Sequence, residues 1–137
     1  MEDYRKIIRQ MQKEQVNAFV EWLQHLPPPI ERGNKNNLAY ICSPYRGNIF
    51  ERFRNIRYAR HITKIALDLG YTPITTHLYL TQVLDDKVPM QRRRGLRAGQ
   101  DILNACGTII IGARYGVSEG MAAEIKAAKG KNTIIIP

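Results

Sequence analysis

The sequence predicts a three-layer α/β fold: a short parallel sheet of about four strands with helices on its faces, preceded by a separate amphipathic helix. From Leu38 onward, short β-branched runs alternate with longer helical patterns, the signature of βαβ units. Two of those runs, Thr108-Ile-Ile-Ile-Gly and Thr133-Ile-Ile-Ile, are almost wholly apolar, and parallel strands are buried on both faces. A length of 137 residues suits one main core.

Residues 3–26 place Ile7, Ile8, Met11, Gln15, Ala18, Phe19, Trp22, Leu23 and Leu26 mostly on one helical face. Pro27-Pro-Pro stops that helix, and Glu31-Arg-Gly-Asn-Lys-Asn-Asn is a polar linker. Residues 1–37 are thus a helix and linker, and residues 38–137 the α/β domain. Leu38-Ala-Tyr-Ile-Cys is the first strand. Asn48 caps a helix running to about Leu69, where Gly70 stops it, and Tyr71-Thr-Pro-Ile-Thr-Thr is the second strand. On that helix Tyr58, Ala59, Ile62, Ile65, Ala66 and Leu69 form the core face, while Arg54, Arg57, Arg60 and Lys64 form a separate stripe.

The stretch from His77 to Asp86 is a loop and short helix, followed by a helix from about Pro89 to Ala105 with Arg92, Arg93, Arg94 and Arg97 near its start. Arginines there oppose the helix dipole and call for another partner. Thr108–Gly112 is the third strand. Ser118 caps a helix running through Ala128 to Gly130, and Thr133-Ile-Ile-Ile is the fourth strand.

The composition, 44% hydrophobic and 24% charged, is that of a globular chain and excludes a disordered one. The charged N-terminus and the short apolar runs give neither a signal peptide nor a membrane span. Cys42 and Cys106 each sit in or beside an apolar run and read as buried thiols, which fits a reducing cytoplasm. His25 and His61 lack metal spacing and Asp85-Asp86 reads as a turn, so neither a metal nor another cofactor is expected. The net charge of +9 lies mostly in residues 37–137, with fifteen Lys and Arg against seven Asp and Glu. Such a field suits an anionic ligand; a nucleic acid is not favoured, since no recognised module or stacking pattern accompanies the arginines.

In an open α/β sheet the ligand sits beyond the carboxyl ends of the strands. The loop after the first strand offers Ser43, Tyr45, Arg46 and Gly47 at the start of a helix whose free amides favour an anion. His77 lies just past the second strand. After the third, Ser118 and Gly120 open a helix that carries Glu124 less than two turns in, leaning back toward the crevice. A glutamate so placed can attack a sugar carbon or accept hydrogen bonds from a ribose. Glu119 reads as a helix-dipole residue.

Tyr40-Ile-Cys-Ser-Pro-Tyr-Arg-Gly paired with Ser118-Glu-Gly-Met-Ala-Ala-Glu124 resembles the nucleoside 2-deoxyribosyltransferase superfamily, which includes the deoxynucleoside monophosphate N-glycosidases. The likeness covers roughly residues 38–137. It implies a flavodoxin-like or Rossmann-like fold, usually oligomeric, in which a helix glutamate attacks C1′ of a deoxyribonucleoside and releases the base. Under it, Glu124 matches the nucleophile and Tyr40 the tyrosine that orients it. Arg46, Gly47 and Ser118 match the residues that hold a 5′-phosphate, and Asp101 is nearest to the aspartate that protonates the departing base. The chain departs from the pattern in the offset of Asp101, in Gly107 where relatives often carry an acid, and in Pro44 and Tyr45. The expected function is therefore a nucleoside or nucleotide N-glycosyl hydrolase or transferase, with a non-catalytic nucleotide-binding protein as the alternative. The apolar face of the N-terminal helix and the resemblance together favour a homo-oligomer.

Overall fold

The computed structural model describes residues 36–137 together with Asn17, Ala18, Val20, Glu21, Gln24 and His25. The chain divides into two units, Met1–Gly33 and Asn34–Pro137. In the first, Asn17, Ala18, Val20, Glu21 and Gln24 are helical, and the His25 Nδ1 lies 2.7 Å from the Glu21 carbonyl oxygen. Of the expected apolar face, Ile7, Ile8, Met11, Gln15, Phe19, Trp22, Leu23 and Leu26 lie outside the described residues, as does the linker 27–35.

The second unit runs β1 (Leu38–Cys42), α1 (Ile49–Asp68), β2 (Thr72–Ile74), a 3-10 turn (Thr76–Leu78), α2 (Leu80–Val83), α3 (Pro89–Ala105), β3 (Thr108–Gly112), α4 (Glu119–Ala127) and β4 (Asn132–Ile136). All strand pairs are parallel and the order is β2-β1-β3-β4. This is the three-layer α/β fold that the alternation of strands and helices predicts, with a Rossmann-like sheet whose order matches the start of the flavodoxin series.

Strand alternation divides the core into two layers. Tyr40, Cys42, Ile109 and Ile111 point to one face and pack with Leu103 and Cys106 at the end of α3 and with Met121 and Ala128 at α4. Ala39, Ile41, Ile110 and Ile136 point to the other and pack against Tyr58, Ile62 and Ala66 of α1. Full burial of a side chain such as Ile62, 0% exposed, contributes roughly 1.5–3 kcal/mol. Leu69, expected on that face, is 56% exposed, because it is the C-cap of α1 and lies beyond its last turn.

Local chemistry explains the element ends. Asn48 and Glu51 close a capping box on α1: the Glu51 amide donates to Asn48 Oδ1 at 2.9 Å and the Asn48 amide to Glu51 Oε1 at 3.2 Å. Gly47 makes this closure feasible, since a Cβ there would stand 2.6 Å from the Glu51 Cβ and its φ is +154°. The box also consumes two of the amides expected to be free for an anion. β2 is shorter than the predicted Tyr71–Thr76: its pairing with β1 ends at Ile74, Thr75 Oγ1 turns to within 2.6 Å of Thr63 Oγ1, and Thr76 opens the 3-10 turn. α4 ends at Ala127, with Ala128 as its C-cap.

Candidate functional site

β1 connects to β2 on one side, while β3 lies on its other side and leads outward to β4, so the chain reverses direction between β1 and β3. Ligands of open α/β sheets bind at this switch point, outside the carboxyl ends of the strands. A cavity of about 1230 Å³ opens there, somewhat larger than the roughly 300–1,000 Å³ of ordinary small-molecule sites. Its walls come from the loops after β1, β2 and β3, from α3, and from the start of α4.

At its centre is a chain of three side chains. Tyr40 projects from β1 between its sheet neighbours Ile74 and Ile109 and is 2% exposed. Its hydroxyl donates to Glu124 Oε1 at 3.0 Å. The Thr76 Oγ1 lies 3.3 Å from the same phenol oxygen; with the phenol proton committed to Glu124, Thr76 is the donor. Glu124 is carried by α4, which Ser118 caps by accepting from the Met121 amide at 3.2 Å and which Met121, 2% exposed, anchors in the core. The second carboxyl oxygen, Oε2, is buried and has no hydrogen-bond partner. The Cys42 thiol also faces this carboxyl, although its hydrogen bond goes to the Met121 carbonyl at 3.8 Å.

Burial raises Glu124 above the usual carboxylate range, against the smaller opposing effect of the neighbouring Cys42 thiol and the Tyr40 hydroxyl. Burial and then the Glu124 charge push the Tyr40 phenol well above its ordinary value, so it stays a donor. The Cys42 thiol is pushed up for the same two reasons, which favours its neutral form. Burial lowers His77 below the ordinary imidazole range, outweighing the upward pull of the Ser43 backbone and Asp86.

Of the residues the sequence singles out, Tyr40, Ser43, Tyr45, Arg46, Gly47, His77, Ser118, Gly120 and Glu124 all line this cavity. Ser43 is fully buried there, its hydroxyl without a partner. Tyr45 and His77 stack, with ring centroids 5.3 Å apart and 13° between planes. Asp101 is not among the lining residues; it is exposed on α3, and the turn of that helix facing the cavity presents Gly99, Gln100 and Leu103 instead. Asp101 thus sits on the helix before the third strand, as expected, but does not face the cavity. Among the described residues no three His, Cys, Asp or Glu side chains converge as metal ligands.

Sequence reasoning missed Thr76, whose role depends on β2 ending early, and the part played by α3. Gly95 and Gly99, four residues apart in Arg-Arg-Arg-Gly-Leu-Arg-Ala-Gly, share the face of α3 that borders the cavity. A Cβ at Gly99 would lie 3.5 Å from the Tyr40 hydroxyl oxygen. Glycines at this interval on a helix were the available signal.

Fold and cavity together define a Rossmann-like α/β protein with a part-buried tyrosine-glutamate pair at its switch point. Over residues 37–136 the chain matches the family described as a domain of unknown function (DUF7768), and it belongs to that family. The matched segment contains the whole sheet and every cavity-lining residue. No curated protein matches the chain.

Proposed function

We propose that the cavity cleaves the N-glycosidic bond of a nucleoside or nucleotide, with Glu124 as nucleophile and Tyr40 as the residue that orients it. The observation carrying this reading is the asymmetry of the carboxyl group: Oε1 is held by the Tyr40 hydroxyl at 3.0 Å, and Oε2 is buried without a partner. Tyr40 thus fixes the carboxyl group through one oxygen and leaves the other desolvated, an arrangement that suits attack on an anomeric carbon. In the first half-reaction, Oε2 forms a bond to that carbon while the C–N bond breaks and the base departs with the bonding pair, taking a proton from water. In the second, water or another base attacks the same carbon and releases the carboxylate, giving hydrolysis or transfer. The resemblance to the nucleoside 2-deoxyribosyltransferase superfamily supports this assignment through Tyr40, Arg46, Ser118 and Glu124. The stacked Tyr45 and His77 offer a flat wall for a base.

One observation favours a second reading, a protein that holds a nucleotide without cleaving it: Asp101 does not reach the cavity to protonate a leaving base. Incubation of the purified protein with ribo- and deoxyribonucleosides and their 5′-phosphates, followed by chromatography for free base, separates the two. Base release lost in Glu124→Gln is the expected result; binding without release supports the second reading.

The protein is further proposed to act as a homo-oligomer in a reducing cytoplasm. Exposed Ile49, Phe50 and Phe53, at 73%, 83% and 66%, give α1 an apolar face suited to a second subunit, and the free thiols of Cys42 and Cys106 suit that compartment. Among the described residues, no helix is long and apolar enough to cross a membrane.

A further inference from the structure

Arg46 follows β1 and Asp86 precedes α3, yet they meet at the cavity, with Arg46 Nη2 2.9 Å from Asp86 Oδ2. Their side chains are 58% and 55% exposed. An ion pair this open to water holds weakly, because the solvent that screens it also solvates each partner alone. The contact uses one guanidinium nitrogen and one carboxylate oxygen, short of the two-point grip a guanidinium gives a phosphate.

The surroundings add positive charge. Arg52 of α1, Lys87 just before α3 and Arg92 of α3 line the same cavity, and among the described residues none of them has a carboxylate within salt-bridge distance. Asp85, beside Asp86, is committed to its own turn, where its Oδ1 accepts from the Lys87 amide at 2.9 Å. The start of α1 is closed by the Glu51 carboxylate. Both anion-attracting features after β1, the Arg46 guanidinium and the helix start, are therefore held by carboxylates of this chain. Glu51 is locked in a reciprocal box with Asn48, whereas Asp86 has the single exposed contact.

We infer that Asp86 is a specificity-determining residue: it holds Arg46 until a dianionic phosphate takes its place, and so tunes the cavity for phosphorylated ligands. A monoanion that displaced Asp86 would exchange one carboxylate-like contact for another and gain little. An uncharged ligand has nothing to offer the guanidinium. A phosphate dianion brings a second charge to a region holding Arg52, Lys87 and Arg92, and it can engage Arg46 at two points. This deepens and rests on the reading of the cavity as a nucleotide site, naming which nucleotides it prefers.

The test titrates inorganic phosphate into the isotope-labelled full chain near pH 7.5, where phosphate is mainly dianionic, and follows the Arg46 side-chain N–H resonance. Phosphate is expected to shift that resonance, and Asp86→Asn to tighten the apparent Kd by about two- to fivefold, the range set by an exposed ion pair. Acetate should shift Arg46 only in Asp86→Asn, Asp86→Glu should keep wild-type behaviour, and Arg46→Gln should lose the phosphate response. Loss of a merely structural contact would weaken binding, so the sign of the change separates the two roles. Unchanged or weaker phosphate binding in Asp86→Asn, or a phosphate response that persists in Arg46→Gln, overturns the inference. The probe has neither base nor sugar, so its failure is distinguishable from a failure of the base-release assay.

Discussion

Replacing Tyr40 by Phe removes one oxygen and with it the 3.0 Å bond to Glu124 and the 3.3 Å contact with Thr76. The ring keeps its place, since the side chain is 2% exposed between Ile74 and Ile109. A hydrogen bond to a charged acceptor is worth about 1.5–3 kcal/mol. Here it favours the ionised carboxylate, the form that can attack. Each 1.36 kcal/mol corresponds to one pH unit, so Tyr40→Phe should carry the acid limb of the pH–rate profile upward by about 1 to 2 pH units. Base release followed from about pH 4 to pH 9 in single-turnover reactions reads this directly. Above the displaced limb the carboxylate is fully ionised, and the remaining deficit measures lost orientation alone. An acid limb that stays at its wild-type position in Tyr40→Phe refutes the claim that the phenol supports the Glu124 charge.

Three further outcomes follow from the same structure. Because burial raises the Glu124 carboxyl in the fold, its contribution to stability is present below the ordinary Glu value and is lost as pH rises through the folded value. Glu124→Gln should therefore melt above wild type at neutral pH, with the gap closing as pH falls toward about 4.3; a pH-independent gap in calorimetry contradicts this. Gly112→Ala places a Cβ 2.9 Å from the Tyr58 ring, an overpacking that should cost about 1–3 kcal/mol in urea unfolding. Asn48→Ala opens the capping box and should cost about 1 kcal/mol, seen as a melting temperature roughly 4 °C lower.

Much of this site was legible because it depends on local order. The run Tyr40-Ile-Cys-Ser-Pro-Tyr-Arg-Gly is a buried strand leading into a loop, and Ser118 capping α4 fixes where Glu124 falls. Both motifs land on the same cavity because their strands are neighbours in the sheet, as the β1 and β3 pairing shows. What was not legible depends on distant segments. Thr76 meets Tyr40 only because β2 ends at Ile74, and Asp86 meets Arg46 across 40 positions of sequence. Asp101 is the reverse case: its place on α3 is legible, but the helix rotation that turns Gly99, Gln100 and Leu103 to the cavity is not. The periodicity of α1 gives its core face from Tyr58 to Ala66 but not at Leu69, where the apolar pattern continues in the sequence and the helix does not.

Attack of the unpartnered Glu124 oxygen on a sugar carbon would leave a glycosyl ester on the protein. Intact-protein mass spectrometry of the full chain, quenched in acid during turnover of whichever nucleoside or nucleotide releases base, tests it most directly. The expected result is a mass increase equal to the glycosyl group, mapping by peptide analysis to Glu124 and absent in Glu124→Gln. Base release that continues in Glu124→Gln, or a glycosyl adduct on any other residue, would contradict it.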